Sequence, residues 1–264
     1  MVIRDWSSDV CSSDLSVPVA GYADAERKLL FALSAGQSNM LPHMSPADGR
    51  GGFFYLCGKR EEIDQPGEWY LDAQEQRLYL QVAPGADPRA LAVEAQRREW
   101  AFDLSERAHV SVEGFHVRAA SLTLDNSRHC LVRDIDARWL GHVRGGGTGY
   151  GLNAPVGIRV GGEHNTVRDS VVAFSAGNGI RLSGRRHAVV NCWIHDTDYT
   201  GSYDAPVSIS GEEMLVSHNT IHDTGRDCIL PAGQAHVIEY NRISRMGRLA
   251  HDLGDQLRAA AELL

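Results

Sequence analysis

The sequence predicts an all-β protein built as a solenoid of stacked parallel strands, and three observations carry that prediction. Strand-like phrases end in glycine at near-regular intervals. GIRVGG closes at Gly162, GIRLSG at Gly184, VSISG at Gly211 and ILPAG at Gly233, with spacings of 22, 27 and 22 residues. A second strand type follows each of them, in NTVRDSVV, AVVNCWI, MLVSHNTI and HVIEYNRI, and HVSVEGFHV and HCLVRDIDA are earlier members offset by 20 residues. Finally, β-branched residues alternate with polar ones between Gly, Asn and Asp turn signals, and no helical period intervenes. Units of about 22 residues cannot close a core alone, so they must stack and bury one continuous inward face. A propeller blade needs about 40 residues. A βαβ array needs a helix in every unit.

Taken in order, the chain divides into four parts. Residues 1–15 contain WSSDVCSSDL, a near-tandem Ser-Ser-Asp repeat without amphipathic period. It lacks the basic start and apolar core of a signal peptide. It resembles translated sequencing-adapter sequence, and irregular chain with few contacts is expected there. Residues 16–107 are expected to form a small mixed β segment leading into the solenoid. Residues 108–247 hold about six rungs and two insertions, the loop GHVRGGGTGYGLN (Gly141–Asn153) and one within DTDYTGSYDA. Residues 248–264 end in DQLRAAAELL, an Ala/Leu-rich helical run. It is either the mark of an incomplete chain, by truncation or frameshift, or a helix capping the last rung.

Composition narrows the function classes. Across 264 residues, 43% hydrophobic and 23% charged content is ordinary for a globular protein. No apolar run approaches 18 residues, so no membrane span is expected. A net charge of −8 argues against a nucleic-acid partner, which would need a basic stripe. Lysine occurs only at Lys28 and Lys59, which removes lysine chemistry from the second half. The five cysteines are scattered and never form CxxC, as buried unpaired thiols would be. A monomer is expected.

The phrase HNTIHDTGRDCI, followed by YNRISRMGRLAHDLG, resembles a rung of the right-handed parallel β-helix repeat proteins. These form the pectate-lyase-like superfamily, and the likeness is to its glycoside-hydrolase-like branch. EEIDQPGEWYLDAQEQRLYL (Glu61–Leu80) is similar to the Pro-Gly-Glu-Trp-Tyr-x-Asp segment that such proteins carry before their helix. The resemblance covers roughly residues 50–254 and departs after HDLG, where members continue with Gly-Ile-Tyr and further rungs. It implies the right-handed fold, a polysaccharide or oligosaccharide substrate, and an extracellular or periplasmic location. It does not choose an activity, because the group contains hydrolases, lyases, epimerases and binding proteins.

The residues that carry chemistry gather around a repeated phrase, IHDT at Ile194–Thr197 and again at Ile221–Thr224. Aligning the glycines puts Ile194, Ile221 and Ile243 in one inward column. His195, His222 and Ser244 then form the next column, and Asp196, Asp223 and Arg245 the one after. Parallel strands lie about 4.8 Å apart, so Asp196 and Asp223 should face each other closely. Asp227 falls in a column with Asn178 and Ala205, Asp204 lies one position earlier, and Asp198 shares the same connecting stretch. Paired carboxylates are what glycosidic cleavage needs, one as acid and one as nucleophile or base. Asp is also a turn residue that bonds its own backbone, and solenoids are rich in turns.

The expected catalytic residues are therefore Asp196, Asp223, Asp204, Asp227 and His222, the last as an acid/base. Arg226, Tyr203, His195 and Trp193 are the expected substrate contacts, by charge for Arg226 and by stacking for the aromatics. No cofactor is required, although Ca²⁺ on the clustered acids is an option. The leading expectation is a glycoside hydrolase. A lyase acting on uronate polymers is the first alternative, with only Arg226, Arg242 or Arg245 left to replace lysine. A non-catalytic carbohydrate-binding solenoid is the second. His109, His129, His164, His187 and His236 precede the second strand type and read as a structural habit of the repeat. SAGQSNM (Ser34–Met40) resembles the nucleophile block of the SGNH-type esterases, with Ser38 as nucleophile, but its partner blocks are not present in convincing form. Gly145–Gly147 read as a flexible loop and not as a phosphate cradle, since no Lys-Ser/Thr or helix start follows.

Overall fold

A computed structural model describes residues 2–6, 16–31, 53–142, 156–199 and 204–248. Apart from Trp6, the described residues up to Ala95 form one compact unit and those from Gln96 a second. The first unit holds β1 (Val2–Trp6), β2 (Ser16–Ala23), β3 (Lys28–Phe31) and β4 (Phe53–Cys57), in the sheet order β3-β2-β1-β4. It also holds an antiparallel hairpin, β5 (Trp69–Asp72) and β6 (Arg77–Leu80), made from the PGEWYLD segment. Asp72 nucleates the hairpin turn by accepting from the Gln74 and Glu75 N–H groups at 2.9 Å each. Irregular chain was expected over 1–15, yet Val2–Trp6 is a strand. Its Val2, Ile3 and Arg4 pair with Pro18, Val17 and Ser16, because a short β-branched run finds an antiparallel partner. Residues 7–15 lie outside the described residues, as do 249–264.

The second unit is the solenoid, with six rungs of three strands among the described residues. The rungs are β7 (Trp100–Asp103), β8 (Ser111–Glu113), β9 (His116–Arg118); β10 (Ser121–Arg128), β11 (Leu131–Arg133), β12 (Asp136–Arg138); β13 (Val156–Glu163), β14 (Thr166–Arg168), β15 (Val171–Ser175); β16 (Asn178–Arg185), β17 (Ala188–Val190), β18 (Trp193–Thr197); β19 (Val207–Glu212), β20 (Leu215–Ser217), β21 (Thr220–Thr224); and β22 (Ile229–Gln234), β23 (Val237–Glu239), β24 (Arg242–Ser244). First strands stack on first strands, second on second and third on third, giving three parallel six-stranded sheets. The solenoid begins at Trp100, ahead of the expected 108, because β7 pairs with β10.

Aliphatic columns run through the core. Leu122, Ile158, Ile180, Val207 and Ile229 align in sheet one. Val112, Val132, Val167, Val189, Val216 and Ile238 align in sheet two. In sheet three Val172, Ile194, Ile221 and Ile243 align, as the glycine count predicts. Ile194 and Ile221 are fully buried, and each contributes about 1.5–3 kcal/mol of apolar burial.

The glycine periodicity has a steric cause. A Cβ on Gly184 would lie 2.1 Å from the Gly162 carbonyl oxygen, on Gly211 2.0 Å from that of Gly184, and on Gly233 1.9 Å from that of Gly211. Their φ values of 110, 131 and 115° add a second reason for glycine.

Each rung turns its corners on single left-handed residues. Asp134, Asp169, Asn191, His218 and Tyr240 turn sheet two into sheet three. Trp139, Phe174, Asp196, Asp223 and Arg245 turn the chain at the far end of the sheet-three strands, all with positive φ. Buried side chains then close the free N–H groups from rung to rung. Cys192 N–H donates to Asn219 Oδ1 and Asn219 N–H to Asn241 Oδ1, each at 2.9 Å.

The histidines split between two such positions. His109, His129 and His164 occupy a corner, and their rings stack at 5.0 and 4.9 Å. His187 and His236 lie one position later, where their Nδ1 atoms accept from the N–H groups of Asn165 and Met214. Cys130, Cys192 and Cys228 are buried free thiols, and burial pushes the last two up to about 12.

Candidate active site

The corner that follows sheet three collects the candidate residues. In each IHDT copy the isoleucine points into the core and the histidine lies on the outer face of the sheet. The aspartate takes the left-handed corner at φ 50° (Asp196) or 56° (Asp223). The threonine turns back inward and is buried. Thr224 Oγ1 donates to the Asp227 carbonyl at 2.7 Å and so ties the corner to the next first strand. Asp tolerates the left-handed region better than most residues, which gives each aspartate a backbone reason to be there. Other rungs meet the same requirement with Trp139, Phe174 and Arg245, so backbone conformation alone does not mark a site. The side-chain network does.

His195 stacks on His222 across the rung boundary, with ring centroids 5.2 Å apart and planes at 18°. His195 on β18 and His222 on β21 are also register partners along the backbone. The Nδ1 of His195 lies 2.7 Å from Asp196 Oδ2, and the Nδ1 of His222 lies 2.7 Å from Asp223 Oδ2. The Trp193 indole, 46% exposed, tilts over His195 at 4.5 Å and donates its N–H to His222 Nε2 at 2.7 Å. Phe174 meets the edge of His195 at 5.8 Å, and Trp139 stacks on Phe174 at 5.1 Å. The two histidines were expected to be solvated wall residues if they were not acid/base groups. Instead His195 is only 7% exposed, because aromatic rings from three rungs cover it. Its Nε2 has no hydrogen-bond partner among the described residues.

The two aspartates differ sharply in charge environment. Asp223 accepts from Arg245 Nη2 at 2.6 Å, Arg245 Nε at 2.9 Å and Arg248 Nη1 at 2.8 Å. Arg245 above all, then His222, holds its carboxyl far below the usual carboxylate range, so Asp223 is an anion at any physiological pH. In return, Asp223 raises the Arg245 guanidinium above its ordinary value. Asp196 has His195 as its hydrogen-bond partner and a side chain that is 39% exposed.

The remaining acids sit deeper, in the turn between sheets three and one. Asp204 is buried, accepts a short hydrogen bond from Asn178 Nδ2 and lies 3.8 Å from Arg181 Nη2. Asp227 and Arg226 are both buried and pair with each other at 3.7 Å. Asp198 is buried too, and its backbone N–H donates to the Ser175 and Gly177 carbonyls at 3.0 Å each. The structure thus gives the five carboxylates two kinds of surroundings: Asp196 and Asp223 on the outer corner, Asp198, Asp204 and Asp227 inside the turn. A sugar would have to displace protein partners to reach the inner three. Among the described residues, no three His, Cys, Asp or Glu side chains converge as metal ligands. Tyr203, Ser38 and Gly145–Gly147 lie outside the described residues.

Sequence reasoning missed the arginine clamp. Register counting placed Arg245 beside Asp223, but Arg248 reaches the same carboxylate because the chain after β24 stays hydrogen-bonded to the rung before it. There the Gly247 N–H donates to the Arg226 carbonyl at 3.0 Å and the Arg248 N–H to that of Thr224 at 3.1 Å. The aromatic cover from Trp139 and Phe174 was missed as well. Its signal was available, since both bulky residues occupy the corner column that Asp196 and Asp223 fill further along.

Among the described residues, no helix is long and apolar enough to cross a membrane. No curated protein matches this sequence. Residues 156–256 match the family model described as the right handed beta helix region, and the rungs from β13 onward are accordingly right-handed parallel β-helix.

Proposed function

We propose that this protein is a carbohydrate-active β-helix enzyme that hydrolyses glycosidic bonds at the corner of the fourth and fifth rungs. The observation that carries this reading is the register of Asp196 on Asp223, which follows from the flanking pairs His195–His222 and Thr197–Thr224. Neighbouring parallel strands lie about 4.8 Å apart. That spacing suits the roughly 5 Å carboxyl separation of retaining glycosidases.

The environments of the two acids support distinct roles. Asp223 stays ionised and is the nucleophile. The His195–Asp196 pair shares a hydrogen bond and handles the proton. In the first step the anomeric C–O bond breaks as the Asp223 oxygen bonds to that carbon, and the leaving oxygen takes a proton from the pair. In the second step water attacks the same carbon and returns a proton to the pair, and the Asp223 carboxylate is released. Arg245 and Arg248 stabilise the charge on Asp223, and Trp193 offers an exposed ring face for a sugar.

The substrate is a polysaccharide or oligosaccharide, and an extracellular or periplasmic location goes with this reading. A lyase using Arg245 as its base is disfavoured, because Asp223 holds that guanidinium protonated.

The test is a panel of neutral and uronate polysaccharides, with product anomers followed by NMR. New reducing ends that retain configuration are expected. Ultraviolet-absorbing unsaturated ends would assign a lyase, and binding without products would assign a binding solenoid.

A further inference from the structure

We propose that Trp193 is a positioning residue: its indole N–H selects the tautomer of His222, and His222 in turn orients Asp223. The inference about catalysis rests on Asp223 being the working carboxylate, whereas the tautomer itself does not.

An indole nitrogen can only donate. At 2.7 Å from Trp193 Nε1, the His222 Nε2 must therefore be bare and accepting. The one proton of the neutral ring then sits on Nδ1, which faces Asp223 Oδ2 at 2.7 Å. Arg245 Nη2 lies 3.1 Å from Nδ1 and 2.6 Å from the same oxygen, as two donors converging on one acceptor would. A proton on Nε2 would set two donors against each other at the indole.

The charged and titratable groups around the ring come from three rungs. Asp223 is beside it, His195 and Asp196 lie on the rung before, and Arg245 and Arg248 approach from beyond the last strand. Whatever these charges do, the indole excludes a proton from Nε2 directly.

The fourth rung supplies an internal control. Trp193 pairs in register with Val171 on the rung before, so Val171 stands to His195 as Trp193 stands to His222. Valine has no side-chain donor, and His195 Nε2 lacks a partner among the described residues.

The experiment is long-range ¹H–¹⁵N NMR of the histidine rings in the full chain, on wild type and Trp193→Phe, which keeps an aromatic ring but removes the donor. The Nδ1–H tautomer of His222 is expected in the wild type, and a mixture of tautomers in the variant. With the donor to Asp223 no longer fixed, the acid limb of the kcat/KM profile should move up by as much as about one pH unit. KM should change less than in Trp193→Ala. An Nε2–H tautomer in the wild type overturns the proposal without any variant. So does a Trp193→Phe protein whose His222 tautomer is unchanged, which would leave Trp193 a sugar platform only. If no glycan is cleaved, the hydrolase reading fails while the NMR result still decides the tautomer.

Discussion

Residues 194–197 and 221–224 carry the same four letters, IHDT, and end in different chemistry. Both isoleucines are fully buried in one column, and both aspartates turn the same left-handed corner. Yet Asp196 answers to one histidine, while Asp223 answers to a histidine and two arginines. The Nε2 of His195 lacks a hydrogen-bond partner among the described residues, while that of His222 accepts from an indole. The difference comes from the neighbouring rungs. The rung beyond Asp223 presents Arg245 in register, whereas the rung beyond Asp196 presents another aspartate. In a solenoid the local sequence sets the backbone, and the rungs on either side set the charge.

The sharpest way to break this comparison is to neutralise each aspartate in turn. Asp223→Asn and Asp196→Asn should each lower turnover on a cleaved glycan by about 10²–10⁴-fold with an unchanged far-ultraviolet circular dichroism spectrum. Normal turnover in Asp223→Asn would return that corner to turn chemistry alone.

The residue after each copy is the next contrast, Asp198 in one and Gly225 in the other. A Cβ on Gly225 would lie 1.8 Å from the Asp198 carbonyl oxygen on the adjacent rung. Gly225→Ala should therefore cost on the order of 4 kcal/mol in denaturant unfolding, since backbone must move to admit it.

Within the isoleucine column, Ile194→Ala and Ile221→Ala should each cost about 2–5 kcal/mol. Ile243→Ala should cost less, because that side chain is only partly buried at the last described rung. Equal losses at all three would mean that further structure covers Ile243.

The smallest effects are pH-dependent. Asp223 is more acidic folded than its ordinary value of 3.8, so its contribution is fully present above that pH and is lost as pH falls through it toward the lower folded value. Acid titration of stability should lose part of this limb in Asp223→Asn. His187 is buried with both ring nitrogens occupied, Nδ1 accepting from Asn165 N–H and Nε2 donating to the Ser183 carbonyl. Burial lowers it below its ordinary 6.5, so the folded state binds fewer protons than the unfolded one. Stability is full above 6.5 and declines as pH falls below it, and His187→Gln should flatten that slope.

The repeat made much of this legible in advance. Glycines that admit a neighbouring carbonyl must recur once per rung, so Gly184, Gly211 and Gly233 alone set the register of the isoleucine, histidine and aspartate columns. Period-two alternation placed Ile194 inward and His195 outward for the same local reason. What the sequence could not decide was what lies beside each outward group. Whether Asp204 and Asp227 were open acids or buried partners of Asn178, Arg181 and Arg226 depended on how the turn packs. Whether Arg248 reached Asp223 depended on the chain after β24 staying on the preceding rung. Whether His195 was solvated depended on rings from Phe174, Trp193 and His222 on three rungs. Backbone register is a periodic property and can be counted along a chain. Desolvation and ion pairing are set by contacts across rungs some 22 residues apart, and only the stacked structure decides them.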